Sequence, residues 1–232
     1  MKDLIKALRN NFLKHNIDGY VVPKNDEFFS EFCNQDRLKR ISNFSGSAGY
    51  AVILKNRNYL FVDGRYTIQA KIESGKKFQI IDYIKLFKCK IFKNLTLGID
   101  PSLFTSKQIG TFFSENKIKL INQNLVDEVV KFKKKNVKPF YSLNNKFTGE
   151  SHNFKMDKLI KILKKNKLDY IFITAPENVA WLLNIRGHDN PYSPLPNSNL
   201  IVSKNRQIFL FADRKKLTNL ISEKKIKKQN II

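Results

Sequence analysis

The chain has 232 residues, of which 42% are hydrophobic, and its 43 basic and 20 acidic side chains give a formal net charge of +23. That apolar content, with 19 Phe and 8 Tyr, excludes a wholly disordered chain, and the length suits one large domain or two of ordinary size. No stretch approaches the roughly 20 consecutive apolar residues that a membrane-spanning helix needs, which excludes a membrane span.

The positive charge is interpreted as a lysine-rich composition rather than as a binding surface. Such a charge could draw the chain to nucleic acid or to an anionic membrane. No basic helix is combined with the aromatic stacking positions that a nucleic-acid reader needs. We therefore expect salt-sensitive, non-specific adhesion at most, with no specific nucleic-acid partner and no membrane partner.

The two cysteines and the N-terminus indicate the cellular compartment. Cys33 and Cys89 are too few and too far apart for a disulfide framework or a zinc site, so both are predicted to be reduced thiols. The first 15 residues lack the long apolar stretch and cleavage site of a signal peptide. The sequence therefore predicts a cytoplasmic protein.

Apolar periodicity predicts an alternation of helices and strands in the first 133 residues. The first element is a helix over 3–15 with Asp3 as its N-cap. It is followed by a strand over 20–22, a helix over 37–44, a hairpin of strands 51–54 and 59–62, a helix over 65–74, strands over 78–81 and 96–100, and a helix capped by Ser106.

A second α/β region is predicted after a linker over residues 134–150, where lysines, a proline and polar residues are concentrated. Its first helix covers 154–166, with Leu159, Ile162 and Leu163 directed inward. A strand over 170–174, a helix over 176–184 and a hairpin of strands 199–203 and 207–211 come next.

The two regions begin with the same order of elements. Both hairpins end in a similar tripeptide, Phe61-Val62-Asp63 in one and Phe211-Ala212-Asp213 in the other. This is a weak internal repeat, compatible with two copies of one α/β domain, over residues 1–133 and 151–232. The second copy is shorter, so we expect it to be incomplete.

Two motifs of the first copy lie beside its hairpin. The small-residue loop Ser45-Gly46-Ser47-Ala48-Gly49 could cradle an anion with its backbone N–H groups, but it lacks the lysine of a phosphate loop, and a tight turn is the preferred interpretation. The turn Asp63-Gly64-Arg65-Tyr66 follows a strand and begins a helix, so Asp63 is predicted to cap that helix.

A third motif, from Trp181 to Pro194, reads Trp-Leu-Leu-Asn-Ile-Arg-Gly-His-Asp-Asn-Pro-Tyr-Ser-Pro. His188 and Asp189 are adjacent in a loop, and two neighbouring residues rarely converge on one metal ion, so a structural role is preferred and no metal ligand is assigned. The residues given a motif or structural role in the second copy are Trp181, Arg186, Gly187, Asp189, Pro191 and Tyr192; those in the first are Gly46, Gly49, Asp63, Gly64 and Tyr66.

These three blocks, together with the run Lys146-Phe147-Thr148-Gly149-Glu150-Ser151, resemble the non-catalytic N-terminal region of long, three-domain Xaa-Pro aminopeptidases of the creatinase/prolidase superfamily. The resemblance implies an α/β fold, with a creatinase N-terminal-like domain of mixed sheet and flanking helices followed by a truncated second copy. It also implies removal of the N-terminal residue from peptides with proline in second position, by a catalytic domain that holds two divalent ions, typically manganese.

The resemblance further implies that Arg65 contacts substrate, at the active site of a partner subunit in a homodimer. No catalytic residue and no metal or other cofactor is assigned to this chain, which we expect to be inactive alone. Three functions stay open: the accessory half of an aminopeptidase completed by a separately encoded catalytic domain, a gene remnant without activity, or a dimerisation or peptide-binding module.

Overall fold

A computed structural model describes residues 3–30, 33, 35–88, 90–132 and 137–223. The chain divides into two units, residues 1–133 (unit 1) and 134–232 (unit 2), each described here by itself. Cys89, predicted to be a reduced thiol, lies outside the described residues. No helix in the described part of the chain is long and apolar enough to cross a membrane.

Unit 1 is built on a mixed six-stranded sheet. The strands are β1 (Gly19–Pro23), β2 (Gly49–Leu54), β3 (Asn58–Val62), β4 (Gln79–Asp82), β5 (Thr96–Ile99) and β6 (Lys117–Leu120). Their order across the sheet is β4-β3-β2-β1-β5-β6. The central strands β1, β2 and β3 are antiparallel neighbours, whereas β4, β5 and β6 each pair in parallel. The predicted hairpin and the predicted mixed sheet are both confirmed.

Apolar residues cover both faces of this sheet. The helices are α1 (Leu4–Lys14), α2 (Arg37–Ser42), α3 (Thr67–Ser74), α4 (Ser106–Phe112) and α5 (Leu125–Val129). On one face, Leu8 and Phe12 of α1 pack with Leu60 of β3. On the other face, Phe61 of β3 packs in a second cluster with Phe92 and Phe113. Because side chains alternate along a strand, Leu60 and Phe61 belong to opposite cores.

Unit 2 contains a three-stranded antiparallel sheet and a short two-stranded one. The strands are β7 (Tyr141–Ser142), β8 (Tyr170–Ile173), β9 (Ile185–Arg186), β10 (Asn199–Ser203) and β11 (Ile208–Phe211). The helices are α6 (Asn145–Thr148), α7 (His152–Lys165), α8 (Pro176–Leu183) and α9 (Thr218–Ser222). The larger sheet has the order β11-β10-β8, and β7 pairs with β9. Residues 137–150, predicted as a linker, include β7, α6 and the fully buried Phe140.

The first elements of the two units correspond one to one. The order α1-β1-α2-β2-β3-α3 of unit 1 matches α7-β8-α8-β10-β11-α9 of unit 2, with a 3₁₀ turn after each hairpin. In this correspondence Phe61 and Phe211 occupy the same hairpin position, because each is the first residue of its Phe-x-Asp tripeptide. The internal repeat predicted from the sequence is therefore present in the structure.

The two units differ in how the second face of the sheet is covered. In unit 1, Val21, Val52, Tyr59 and Phe61 are all buried on that face. In unit 2 the side chains at the corresponding positions reach solvent, and Phe172 is 57% exposed. We call this surface the open face; its residues are Phe172, Ile201, Phe209 and Phe211.

Two details of the predicted helices are wrong. The N-cap of α4 is Thr105 rather than Ser106, because Thr105 and Gln108 form a reciprocal capping box. In α7, Ile162 was predicted to be directed inward but is 56% exposed, and Ile160 is buried instead. The buried stripe of α7 runs through Met156, Ile160 and Leu163, the spacing of a single helix face, and Ile162 does not lie on it.

Cys33 is expected to resist alkylation while the protein is folded. Burial raises the pKa of its thiol from 9.0 to about 12, with smaller contributions from Asp36 and Asp26. Since the thiolate is the nucleophile, a rise of this size lowers its population at pH 8 by roughly a thousandfold. Iodoacetamide labelling followed by peptide mass spectrometry, with and without guanidinium, measures the effect. Equal labelling rates in the two conditions would contradict it.

Candidate functional site

A concave surface of unit 1 lies at one edge of its sheet. Strands β1, β3 and β4 end at this edge and β2 begins there, so residues that are distant in sequence meet. They enclose a cavity of about 280 Å³, here called the sheet-edge cleft. It is lined by Lys24, Asn25, Phe29, Ser47, Ala48, Gly49, Tyr50, Asp63 and Tyr83. Ligand sites of open α/β sheets commonly lie just beyond strand ends.

The small-residue loop forms one wall of the cleft and is tied to the turn that follows β3. The hydroxyl groups of Ser47 and Tyr66 lie 2.9 Å apart. Ser45 donates its backbone N–H and its hydroxyl to the two carboxylate oxygens of Glu73, at 2.7 Å each. A Cβ atom at Gly49 would lie 2.9 Å from the carbonyl oxygen of Phe61, and one at Gly46 would collide with the Phe44 ring. These contacts describe a tightly packed turn.

Asp63 and Arg65 form a charged pair at the rim of the cleft. Asp63 Oδ1 accepts hydrogen bonds from the backbone N of Arg65 at 3.0 Å and from its Nε at 2.9 Å. These bonds lower the pKa of the Asp63 carboxyl group, which keeps it ionised to a lower pH. The Arg65 side chain is 73% exposed, and its guanidinium carbon lies 5.5 Å from the centre of the Tyr66 ring. A Cβ atom at Gly64 would meet nothing within 4 Å, so steric crowding does not explain that glycine.

The inner part of the cleft contains an ion-paired lysine and two stacked tyrosine rings. Lys24 is buried and forms an ion pair with Asp36. The rings of Tyr50 and Tyr83 stack with centroids 5.7 Å apart, and burial raises the pKa of the Tyr50 hydroxyl. The lining contains no imidazole or thiol among the described residues. This surface can therefore hold a polar ligand against aromatic rings.

The described residues do not fit the two-metal centre that the resemblance implies. Within the ranges that the structure describes, no group of three or more His, Cys, Asp and Glu side chains could hold a metal ion. His188 and Asp189 diverge, because the His188 ring packs on Tyr141 whereas Asp189 forms an ion pair with Lys216 and accepts a hydrogen bond from the backbone N of Asn197. No reaction step is assigned to metal in this chain.

The Trp181–Pro194 motif folds into α8, β9 and a closed loop of unit 2. Arg186 Nη1 donates to the carbonyl oxygens of Ala180 and Ile185, which ties the strand to the preceding helix. The backbone N of Gly187 donates to the Pro194 carbonyl oxygen at 3.0 Å. A Cβ atom at Gly187 would lie 2.8 Å from the carbonyl oxygen of Leu195, so only glycine fits there without displacement.

Other members of this motif lie on the surface of unit 2. Trp181 is more than half exposed, and the Lys155 ammonium lies 4.5 Å from the centre of its ring. Pro191 and Tyr192 line a groove together with His188 and Asn190.

The structure therefore gathers the predicted residues into two sets. Gly49 and Asp63 line the sheet-edge cleft, and Gly46, Gly64, Arg65 and Tyr66 lie in the loop and turn that border it. The motif from Trp181 to Pro194 belongs wholly to unit 2. Sequence reasoning missed Lys24, Asn25 and Tyr83 in the cleft. All three residues follow a predicted strand closely in the sequence. Side chains that follow strands ending at the same sheet edge lie close together, so this position was the signal that could have identified them.

Both units match families and proteins that are already known. Family models described as the creatinase/prolidase N-terminal domain match residues 5–127 and residues 132–232. A protein of Laccaria bicolor named probable Xaa-Pro aminopeptidase P is 32% identical, over 92% of this chain and 36% of its own length. The aminopeptidase P1 of Lotus japonicus is 33% identical, over 94% of this chain and 35% of its own length.

A solved structure extends this similarity to three dimensions. The X-prolyl aminopeptidase of Caenorhabditis elegans, described as a cytosolic enzyme with a di-nuclear active site, matches with a TM-score of 0.85 and 29% identity. The match covers 99% of this chain and 41% of the nematode enzyme. The chain thus spans less than half the length of each of these three relatives.

Proposed function

Because the chain belongs to the creatinase/prolidase N-terminal domain family, we propose that it is the N-terminal accessory region of a metal-dependent Xaa-Pro aminopeptidase. The observation that carries this proposal is the three-dimensional match of almost the whole chain to part of an X-prolyl aminopeptidase. In this role the chain provides substrate-facing and structural surfaces. A catalytic domain with two metal ions, manganese in our proposal, hydrolyses the bond before proline.

In the proposed enzyme, Arg65 reaches from the sheet-edge cleft toward the peptide substrate. Its guanidinium group is largely exposed and is held at the rim by Asp63 and Tyr66, so little side-chain freedom is lost on binding. A planar guanidinium group suits a peptide carbonyl or carboxylate oxygen. In a homodimer this group would face the active site of the partner subunit.

Arg65→Ala is expected to lower kcat/KM for Xaa-Pro peptides by about 10- to 100-fold, the range for losing a charged hydrogen bond to substrate. The assay combines this chain with a separately expressed metal-binding domain from one of the relatives. Arg57→Ala is the matched control, because Arg57 is exposed in the turn at the other end of β3. An unchanged kcat/KM in Arg65→Ala would remove Arg65 from the substrate site.

The chain by itself is expected to release no amino acid from such peptides, with or without added manganese. Chelator-sensitive hydrolysis by the purified chain would overturn the accessory role. A gene remnant makes a different prediction, since unit 2 would then fail to fold as a cooperative domain. The closed core of unit 2, which includes Met156, Leu183, Leu200 and Leu210, favours a folded domain.

The open face of unit 2 supports a second, compatible role in binding. In unit 1 the same face is covered by aromatic and aliphatic side chains that follow the hairpin, among them Leu86, Phe92 and Phe113. We propose that the catalytic domain of the enzyme covers the open face in the same way. Phe172→Glu should then prevent co-purification with a separately expressed catalytic domain of a relative. Phe154→Glu is the control, since Phe154 is about as exposed but lies on α7.

A further inference from the structure

Unit 2 carries a groove that the accessory role leaves unused. Its volume is about 520 Å³, and it is formed by the loop after β9 together with residues near β7. Lys138, Tyr141, His188, Asn190, Tyr192 and the prolines 191 and 194 line it. We call it the loop groove.

The loop that forms this groove is anchored at both sides. The hydrogen bond from Gly187 to Pro194 closes its neck, at 3.0 Å. Asp189 fixes its middle by accepting a hydrogen bond from the backbone N of Asn197 at 2.7 Å and by forming an ion pair with Lys216 Nζ at 2.8 Å. The groove is therefore preformed, which reduces the entropy that a ligand must overcome on binding.

Asn190 lies in the groove with a hydrogen-bonding capacity that the fold does not use. The residue is only 7% exposed, and its Oδ1 atom is buried without a hydrogen-bond partner among the described residues. Buried polar atoms are almost always paired in proteins. Rotation of the carboxamide can present either its acceptor or its donor group to a ligand. The complementary ligand group is one that both donates and accepts, as a peptide bond does.

The walls of the groove combine aromatic rings and prolines with polar side chains. The rings of Tyr141 and His188 pack with centroids 5.3 Å apart, and Tyr192 is 81% exposed. Aromatic side chains arranged around a shallow groove bind proline-containing peptides in the extended polyproline II conformation. The exposed Lys138 at the rim favours a ligand that also carries a carboxylate.

We propose that the loop groove binds an extended peptide segment that contains proline and an acidic residue. The proline rings pack on Tyr141, His188 and Tyr192, a backbone amide pairs with Asn190, and the carboxylate faces Lys138. The proposal requires neither a free N-terminus on the peptide nor its hydrolysis, so it does not depend on the aminopeptidase role.

The test is a calorimetric titration of the full chain with N-acetylated, C-amidated APPAE peptide, which has no free amine for an aminopeptidase. We expect saturable one-site binding, with at least fivefold weaker binding of the matched AAAAE peptide. Loss of the proposed hydrogen bond in Asn190→Ala should weaken binding about tenfold. Tyr192→Ala should weaken it at least fivefold and leave the melting temperature unchanged, because this side chain is exposed.

Two control variants locate the site. Tyr170→Ala removes an exposed tyrosine of β8 outside the groove, and Arg57→Ala removes an exposed arginine of unit 1; neither should change the affinity. Absence of saturable binding, or equal affinity of Tyr192→Ala and the original chain, would overturn the proposal. Tyr192-dependent binding of ADP without peptide binding would also overturn it, by assigning the groove to a purine nucleotide. None of these results would change the expected effect of Arg65→Ala on peptide hydrolysis.

Discussion

Phe61→Ala is expected to lower the free energy of unfolding of unit 1 by about 3–5 kcal/mol, the usual range for truncating a fully buried phenylalanine. Phe61 is completely buried in β3 and meets Phe92 edge to face, with ring centroids 5.8 Å apart. Its removal leaves a cavity between the sheet and the segments that cover it. Hydrogen exchange at increasing denaturant concentrations measures the effect for each unit separately, which matters because two units need not unfold in one transition.

Phe211→Ala is the matched control, at the same hairpin position in unit 2. Phe211 is partly exposed on the open face and contacts Phe172 at a centroid distance of 6.4 Å. Less apolar area is lost there and no closed cavity forms, so we expect about 1 kcal/mol of destabilisation. Comparable losses in the two variants would mean that the open face is covered in the folded chain. Addition of a separately expressed catalytic domain of a relative should increase the loss for Phe211→Ala toward that for Phe61→Ala.

Arg37→Leu should destabilise unit 1 by about 3 kcal/mol, at the lower end of the cost of breaking a buried ion pair. Arg37 Nε and Nη2 donate to the two carboxylate oxygens of Asp127, and Nη2 also donates to Glu27, each at 2.8 Å. Arg37 is buried in α2, whereas Asp127 lies in α5 and Glu27 in the loop after β1. The ion pairs of Arg37 therefore connect three segments of unit 1. The two carboxylates are partly exposed and can regain water, which limits the cost.

Urea denaturation of two further variants separates the effect of the positive charge of Arg37 from the effect of its contact geometry. Arg37→Lys keeps the charge but loses the planar two-point contact with Asp127, so an intermediate loss is expected. Arg65→Leu removes an exposed arginine whose ion pair is local, and should change stability by less than about 0.5 kcal/mol. If Arg37→Leu behaves like Arg65→Leu, the cluster adds nothing to the stability of unit 1.

Local sequence patterns predicted most individual elements because those elements depend on short-range interactions. Asp3 precedes an amphipathic stretch, and its side chain accepts from the first backbone N–H groups of α1, as expected for an N-cap. The hairpin of β2 and β3 followed from two apolar runs around a polar turn. The errors had the same local origin: Thr105 and Ser106 are both good N-caps, and only the reciprocal contact with Gln108 distinguishes them.

The sequence by itself determined the repeated order of helices and strands and, through short motifs rich in glycine, proline and aromatic residues, the family. Tertiary structure alone decided which side chains meet. Lys24, Ser47, Asp63 and Tyr83 come together only because strand order places four strand ends at one sheet edge. Likewise, Phe61 and Phe211 have the same local sequence setting but differ in burial. Segments distant in sequence cover the sheet face that carries Phe61 in unit 1, whereas the corresponding face of unit 2 is open.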